Sequence, residues 1–507
     1  MTSPATPTQP SPPLPETTHL RIALAWVIGL TTLRLFANAL TGLELYGDEA
    51  QYWTWAQTLD LGYFTKPPLI AWIIAATTSV CGDAEACVRA SSPLLHAGTA
   101  LALYGLGRSV ADSRVAMWSA LIWITLPSIA FSSLIVSTDV PLLFCWALAA
   151  TGYRRLLDTR AWRWAVVAGL AIGVGMLAKY AMAYAFLGIA LHLVVSPRDR
   201  WILRDLRGLL VLALALLILS PNLYWNAANH FATVAHLGDN TNLGADPSQK
   251  FRISKALQFL GEQAGVFGPI PFAILAWRLI AWIRGRASDT EKFLLAIALP
   301  PLAVITFQAF LSRANANWAA TAYPTATVLV ALWLVGQAPR WMRYATLVPH
   351  VVACLAFAVV VAVWPTLRIP LTDRGFSRMA GWEKVAEAAR PDILTNPDLP
   401  VLMTDRIAMA SLLYYMRDQL GVGDLQPGKR PVYVWDWNRQ PEHHYELAVP
   451  YDPEKTDRAL MITEWETPAA ILDHFEATEQ VRVISITSYG RTRRLEVWLV
   501  SGFKGWE

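Results

Sequence analysis

Charged residues are scarce in this sequence of 507 residues: Asp, Glu, Lys and Arg make up only 16% of it, against about 25% in an ordinary soluble domain. So few charges cannot cover the surface of a soluble globule of this length. The hydrophobic content of 54% also excludes a largely disordered chain. The net charge of +4 is too weak to indicate nucleic-acid binding, and only four cysteines exclude a scaffold built on disulfides. The composition therefore predicts a polytopic membrane protein.

Long apolar runs supply the predicted membrane spans. Residues 20–40 can cross a bilayer, and the run is too long, without a cleavage site after it, for a typical signal peptide. The run at residues 67–81 is short, about 15 residues, so we predict a helix at the membrane interface there. We expect about eleven spans, at residues 20–40, 91–107, 115–132, 139–153, 163–178, 181–196, 208–224, 257–280, 292–311, 317–337 and 343–365.

Basic residues alternate along the connections between these runs. Arginines cluster in every second loop, near residues 108–114, 154–163, 198–207, 278–286 and 340–343. By the positive-inside rule these loops face the cytoplasm, and the loops near 41–90, 133–139, 225–256 and 312–317 face outward. The N-terminus is then cytoplasmic, and an odd number of spans places the C-terminus on the external face of the membrane.

The composition also divides the chain into three predicted parts. Residues 1–18, rich in Pro, Thr and Ser, read as a disordered cytoplasmic tail, and residues 19–365 as the membrane domain. Residues 366–507 carry more charges and shorter apolar runs, so we predict a periplasmic α/β domain. Its expected strands are Pro400–Met403, Pro431–Trp435, Leu460–Thr463, Val481–Ile486 and Leu495–Leu499, and its expected helices are Ile407–Met416 and Pro468–Ala477.

The first external loop is the segment richest in candidate chemistry. Asp48 and Glu49 follow the first span directly, at the depth of the membrane surface. One interpretation is structural: Asp48 caps a short helix and Glu49 favours its first turn. The other is that a carboxylate here faces a cavity, and both can hold together.

Two motifs in this loop carry a family resemblance. Gly47-Asp48-Glu49-Ala50, followed by Lys66-Pro67-Pro68-Leu69, resembles the signature of the GT-C membrane glycosyltransferases. The similarity is greatest to the group that includes lipid A aminoarabinose transferases and protein O-mannosyltransferases. It continues through most of the chain, in Val88-Arg89, Ser137–Pro141, Met176–Tyr180, Ser220–Asn226, Ala316–Trp318, Gly381–Glu383 and Thr404–Arg406.

The resemblance implies an α-helical polytopic membrane protein of GT-C type with a C-terminal external α/β domain. It also implies an inverting transfer of a sugar from a polyprenyl-phosphate donor to an envelope acceptor, such as lipid A, lipopolysaccharide or another glycan, on the periplasmic face. Such a reaction needs a carboxylate to accept or orient the acceptor proton, and cations to stabilise the departing phosphate. Asp48 matches the family's catalytic carboxylate and Lys66 a lysine near the carrier phosphate.

Four more residues are candidates for the same site. Glu49 and Asp139 are further catalytic carboxylates, and Arg89 and Lys179 are further contacts to the donor phosphate. Each has a structural alternative. Asp139 can cap the next helix, Arg89 can anchor the chain at the interface, and Lys179 can snorkel from a tight hairpin between two spans.

The expected partners are a polyprenyl-phosphate sugar, a glycolipid or glycan acceptor and membrane lipids, with no nucleic acid. We predict no cofactor and no metal, because His230 and His236, like the pair His443-His444, lack carboxylates at ligand spacing. Cys81 and Cys87 lie close enough in sequence for a disulfide, and free thiols are the alternative.

Two other functions compete with this interpretation. Protein O-mannosylation differs only in the acceptor, which no residue here identifies. A membrane transporter would also suit about eleven spans with intramembrane charges. Against it, the chain shows no repeated halves with broken helices at matching positions, and an acidic, aromatic first loop suits surface chemistry on a lipid-linked substrate better.

Overall fold

The apolar runs fold into a helical bundle, seen in a computed structural model that describes residues 15–240, 251–364, 375–464 and 468–506. Short 3-10 turns at Tyr180–Ala183, Pro197–Arg204 and Ala316–Ala322 join some of the helices. The helices are α1 (Glu16–Leu40), α2 (Gly47–Gln57), α3 (Leu69–Cys81), α4 (Glu85–Arg89), α5 (Ser91–Val110), α6 (Ser113–Thr125), α7 (Pro127–Ser132), α8 (Asp139–Thr159), α9 (Trp162–Ala178), α10 (Tyr184–Val195), α11 (Leu206–Ala228), α12 (Ala232–Asn240), α13 (Ile253–Phe267), α14 (Pro269–Ile283), α15 (Asp289–Leu311), α16 (Tyr323–Gly336) and α17 (Arg340–Val363).

Five helical segments among the described residues are long and apolar enough to cross a membrane: α1, α11, α15, α16 with the 3-10 turn before it, and α17. Shorter apolar helices among the described residues include α3, α9 and α14. The chain is therefore a helical membrane protein, and the count of eleven spans stays a prediction.

Two of the predicted spans are not continuous helices. The run 257–280 breaks at Gly268, whose φ of +88° leaves the helical region, and Pro269 then starts α14. The run 115–132 breaks at Leu126, and Pro127 starts α7. The prediction of one helix is wrong in both places, because proline favours the first turn of a new helix and lacks the amide that would continue the hydrogen bonds of the preceding one.

The N-terminal part differs from the prediction in one boundary. Helix α1 begins at Glu16, inside the segment expected to be a disordered tail, and residues 1–14 lie outside the described residues. The predicted short helix at 67–81 is confirmed as α3, Leu69–Cys81. Cys81 and Cys87 form a disulfide bond that closes the turn between α3 and α4.

The predicted C-terminal α/β region is built on a six-stranded sheet. Its strand order is β2-β3-β1-β4-β6-β5, with parallel pairing from β2 to β4 and antiparallel pairing of β6 with β4 and β5. The strands are β1 (Val401–Met403), β2 (Leu420–Val422), β3 (Arg430–Val434), β4 (Arg458–Thr463), β5 (Phe475–Ser488) and β6 (Arg491–Phe503), and the helices are α18 (Trp382–Thr395), α19 (Arg406–Tyr415), α20 (His444–Ala448) and α21 (Ala469–Leu472).

The five predicted strands and the helix Ile407–Met416 are confirmed with shifted ends, whereas α18, α20 and β2 were not predicted. Strand β2 was not predicted, because only three residues of it pair with β3. The predicted helix Pro468–Ala477 is wrong beyond Leu472, since Phe475 already pairs with Phe503 in the long hairpin of β5 and β6. The proposed domain boundary near residue 365 falls at residues 365–374, which lie outside the described residues.

The C-terminal region packs directly on the loop that follows the first span, and the two share one hydrophobic core. Trp53 meets the ring of Tyr414 edge-on at 5.0 Å between centroids, and the Thr54 hydroxyl hydrogen-bonds to that of Tyr445 at 2.6 Å. Trp55 stacks on Tyr63 at 4.4 Å between centroids. Helix α2 thus lies between the membrane bundle and the C-terminal sheet.

Candidate active site

Helix α2 starts where the chain leaves the first span. The Glu49 carboxylate accepts a hydrogen bond from the Tyr46 amide at 2.9 Å, which satisfies one of the free donors at the helix start. Gly47 allows α19 to approach closely, since a Cβ there would lie 2.6 Å from two side-chain carbons of Ile407. The first turns of α2 and α19 therefore meet, and Asp48 lies at their junction.

Asp48 forms an ion pair with an arginine of the C-terminal region. Nη1 of Arg406 donates to Oδ1 of Asp48 at 2.9 Å, and it also donates to the Gln51 side chain. Asp405 holds the arginine in place: its carboxylate caps α19 by accepting from the amides of Ile407 and Ala408, both at 2.8 Å. The side chains of Asp48 and Arg406 remain 42% and 32% exposed, so this pair is open to a ligand.

A second carboxylate lies at the start of α8. Asp139 accepts from Lys179 Nζ at 2.7 Å and from Asn317 Nδ2 at 2.8 Å. Lys179 follows the last residue of α9, and Asn317 lies in the 3-10 turn before α16. Three separate parts of the bundle thus converge on one carboxylate, which is more enclosed than Asp48, with 16% of its side chain exposed.

Lys66 is the cation of the cluster with no such partner. Its backbone is fixed by two hydrogen bonds with Tyr63, but Nζ has no hydrogen-bond or ion-pair partner within the described part of the chain. Burial and the positive charge of Lys179 lower the pKa of Lys66, while Asp48 and Asp139 oppose them. Lys66 therefore interacts electrostatically with both carboxylates and with Lys179. These four of the six predicted residues influence one another.

The loop that carries Lys66 is held against helix α11. Nε1 of Trp225 donates to the Asp60 carboxylate at 2.7 Å, and Asn222 donates to the Leu61 carbonyl at 2.8 Å. Gly62 lets Trp225 lie flat on the loop, because a Cβ there would lie 2.5 Å from its ring. The contacts of the Ser220–Asn226 segment thus favour a role in positioning the loop of Lys66 rather than a direct role in the reaction.

Tyr52 faces the same charges from the next turn of α2. Burial, together with the negative charges of Asp48 and Asp139, raises its pKa well above the ordinary value. Its hydroxyl therefore stays protonated at neutral pH and can act only as a neutral donor or acceptor. No sequence argument singled it out, although its place four residues after Asp48 puts both on one helix face.

Glu49 and Arg89 lie apart from these charges, in a closed pair. Arg89 donates from Nε and Nη2 to the two Glu49 oxygens at 3.0 and 2.8 Å, and their side chains are only 0% and 1% exposed. Arg89 also donates to the carbonyls of Leu43 and Glu44. Glu49 also accepts from the Val136 amide at 2.8 Å. The predicted catalytic and phosphate roles of this pair stay predictions; its contacts favour a structural role.

The histidines considered as metal ligands have other contacts. His443 caps α20 by accepting from the Glu446 amide, and His444 packs on the rings of Trp55 and Tyr63. Burial lowers the pKa of His444 to about 3, so it is neutral. Within the described ranges, no three His, Cys, Asp or Glu side chains lie close enough to hold a metal. The expected absence of a metal stays a prediction.

The structure thus brings together Asp48, Lys66, Asp139 and Lys179, and adds Arg406, which the site prediction did not include. The sequence did contain a signal for it, since Thr404–Arg406 matched the family pattern, but a lone Asp-Arg pair is too common to be specific. Its partner lies 358 positions away, and only the fold reveals the contact.

Comparisons with known proteins identify relatives of this chain. Residues 65–225, which include Lys66, Asp139 and Lys179, match the dolichyl-phosphate-mannose-protein mannosyltransferase family. The chain is 33% identical to the lipid A galacturonosyltransferase RgtD of Rhizobium johnstonii, over 90% of this chain and 95% of that protein. It is 32% identical to the undecaprenyl phosphate-alpha-4-amino-4-deoxy-L-arabinose arabinosyl transferase of Pseudomonas aeruginosa, over 38% of this chain and 35% of that protein.

The fold has a solved counterpart. The crystal structure of ArnT from Cupriavidus metallidurans bound to undecaprenyl phosphate superposes with a TM-score of 0.65 at 16% identity, covering 94% of this chain and 98% of that one. This likeness extends over both the helical bundle and the C-terminal sheet. Taken with the full-length similarity to RgtD, it shows that the chain belongs to the GT-C family of membrane glycosyltransferases.

Proposed function

We propose that this protein is an inverting glycosyltransferase that moves a sugar from a polyprenyl-phosphate donor to lipid A or another part of lipopolysaccharide. The observation that carries the proposal is the site itself. Two carboxylates and an unpaired lysine share one field, next to a loop that follows the first span. A lipid-borne phosphate and a polar acceptor can meet there.

The reaction assigns one role to each kind of group. The acceptor hydroxyl oxygen attacks C1 of the sugar from the face opposite the phosphate, and Asp48 accepts or orients its proton. The bond between C1 and the phosphate oxygen breaks, and polyprenyl phosphate departs with the electron pair. Lys66 stabilises the charge that grows on that phosphate.

The other predicted residues act through these two. Asp139 and Lys179 form an ion pair at the start of α8, and both of their charges influence the pKa of Lys66. Glu49 ties the start of α2 to the loop before Asp139 through the Tyr46 and Val136 amides. We therefore assign Glu49 and Arg89 to positioning of the two site carboxylates rather than to contact with the donor.

The periplasmic face is the expected place of reaction. Asp48, Asp139 and Lys179 lie at helix ends opposite to the arginine-rich connections, such as 154–163 between α8 and α9. If those connections are cytoplasmic, the site and the C-terminal sheet face the periplasm. A periplasm-active reporter fused after Glu507 should be active and one fused after Arg286 silent; the reverse pattern would overturn the orientation.

Galacturonic acid is the sugar we propose first, with lipid A as its acceptor. The supporting similarity to a lipid A galacturonosyltransferase spans 90% of the chain, whereas that to the arabinosyl transferase spans 38%. A pentose or another hexose remains the alternative sugar, and a protein hydroxyl the alternative acceptor, as the description of the matched mannosyltransferase family suggests.

Mass spectrometry of a deletion strain tests donor sugar and acceptor together. We expect lipid A from the deletion strain to lack one hexuronic acid residue, which returns when the gene is restored. The matched control is restoration with the Asp48→Asn variant, which should leave the lipid unmodified. Loss of a pentose would replace the proposed sugar. An unchanged lipid A with altered glycoproteins would overturn the proposed acceptor in favour of protein O-mannosylation.

A further inference from the structure

Asp48 and Arg406 form an ion pair in which the arginine uses only some of its N–H donors. Within the described part of the chain, only Nη1 of Arg406 has partners, Asp48 and Gln51. A guanidinium carries five donors in a planar fork that suits phosphate oxygens. The remaining donors of Arg406 are thus available to a ligand that enters beside Asp48.

The charges of the site show why a second cation is needed. The donor is a phosphodiester with one negative charge, whereas the departing polyprenyl phosphate is a monoester with about −1.5 to −2 at pH 7. Lys66 has no ion-pair partner among the described residues, so alone it balances the donor but not the product. The charge that develops during transfer requires a second positive group within reach.

Two cations could supply it, and the structure distinguishes them. Lys179 contacts Asp139 at 2.7 Å, their side chains are only 24% and 16% exposed, and Asn317 holds the same carboxylate. Arg406 contacts Asp48 through one nitrogen in a pair that is 32% and 42% exposed. An exposed pair contributes little to stability, so a phosphate can compete for Arg406 more readily than for Lys179.

Resting on the proposed function, we propose that Arg406 is a second phosphate-binding residue, supplied by the C-terminal region. The phosphate that forms as the sugar leaves draws the guanidinium from Asp48. The arginine thus contributes little to binding of the donor and much to binding of polyprenyl phosphate and to the transition state. Asp405, which caps α19, keeps the arginine within reach of both partners.

Binding of two lipids to the full-length protein in nanodiscs tests this role. The probes are undecaprenyl phosphate, a monoester, and the same lipid carrying the sugar, a diester. Arg406→Gln should weaken binding of the monoester about tenfold or more, the effect of losing a charged hydrogen bond, and binding of the diester by less than about threefold. Arg406→Lys should restore much of the loss. Arg390→Gln is the matched control, because Arg390 forms a similarly exposed pair with Asp418 away from the site.

A second variant probes the competition between Asp48 and phosphate. Asp48→Asn removes the competing charge and should tighten monoester binding in the parent background but not in Arg406→Gln. This arm remains informative if Arg406→Gln fails to fold, since weaker or unchanged monoester binding by Asp48→Asn alone would overturn the inference.

The outcomes separate this inference from the function on which it rests. If the parent binds neither lipid, the proposed donor class is wrong. If the parent binds both and transfers sugar, while Arg406→Gln binds the monoester as the parent does, only the role of Arg406 is wrong. An equal loss for monoester and diester would indicate a general structural effect and would also overturn the role.

Discussion

Asp48 and Glu49 are neighbours in the chain, yet they lie in opposite surroundings. Glu49 forms a two-point ion pair with Arg89 from which solvent is almost excluded, with side-chain exposures of 1% and 0%. Asp48 forms a single contact with Arg406 in a pair that is 42% and 32% exposed. A buried pair in which every arginine nitrogen has an acceptor resists rearrangement, whereas an open one can exchange its partner.

This difference favours a structural role for Glu49 and supports the proposed chemical role of Asp48. Glu49 binds amides on both sides of the site, at Tyr46 and Val136, so its removal affects the frame. Asp48 makes no backbone contact of this kind among the described residues, and its charge is available to substrate. Changes to the two neighbours should therefore separate loss of activity from loss of folding.

The largest effect is expected from Asp48→Asn. The change keeps the size of the side chain and removes the charge and basicity, so transfer should fall by about 10²- to 10⁴-fold. The melting temperature should change little, because an exposed ion pair contributes about 0–1 kcal/mol. An in-vitro assay with a polyprenyl-phosphate sugar, run beside a melting curve, measures both. Near-parental transfer would remove Asp48 from the chemistry.

Arg89→Ala should produce the reverse pattern. It leaves the Glu49 carboxylate buried without its partner, which costs about 3–5 kcal/mol of unfolding free energy. Chemical denaturation in detergent should show this loss, while the fraction that remains folded retains transfer. Glu49→Gln is the milder counterpart, since the amide keeps one acceptor for the Val136 or Tyr46 amide. A stable Arg89→Ala protein with abolished transfer would return Arg89 to the donor phosphate.

Lys66 provides a test through pH. Lys66→Ala should lower the transfer rate on the order of 10²-fold, the loss expected for one transition-state contact. Because burial and Lys179 lower the pKa of Lys66 below the ordinary 10.5, the ammonium is lost as pH rises through that lowered value. The alkaline limb of kcat/KM should therefore lie below pH 10.5 and move upward in Lys66→Arg, whose guanidinium keeps its proton. An alkaline limb that does not move would separate Lys66 from the reaction.

The smallest effect should come from an exposed pair outside the site. Arg390 and Asp418 are 34% and 60% exposed and lie 3.0 Å apart. Asp418→Asn should change the unfolding free energy by less than about 0.5 kcal/mol and leave transfer unchanged. Impaired transfer here would mean that exposure and pairing alone do not distinguish Asp48 from other acidic residues of the chain.

The family resemblance singled out the first half of the proposed site. Asp48 and Lys66 lie in one loop of about 20 residues, and its spacing alone left a helix cap as an equal alternative for Asp48. Asp139 and Lys179 were candidates because each interrupts an apolar run at its end. Their pairing could not be predicted, because it depends on how α8 and α9 align, which no periodicity determines.

The remainder of the site required the fold. Arg406 reaches Asp48 only because Gly47 lets two helix starts approach, a fact about packing rather than composition. The helix breaks at Gly268-Pro269 and Leu126-Pro127 each have a proline as a sequence signal. The continuous apolar content on both sides nevertheless predicted one span in each place. Strand β2 is too short to give an alternating pattern in the sequence. Its strand conformation is defined by its parallel pairing with β3.

The contact between Asp48 and Arg406 also orders events during biosynthesis. Ribosomes add about 5–20 residues per second, so the 358 positions between these residues take about 18–70 s to synthesise. Throughout that interval the first loop lacks the sheet that covers it and the arginine that faces its aspartate. A chain that terminates early therefore yields an incomplete protein without a finished site, rather than a smaller active transferase.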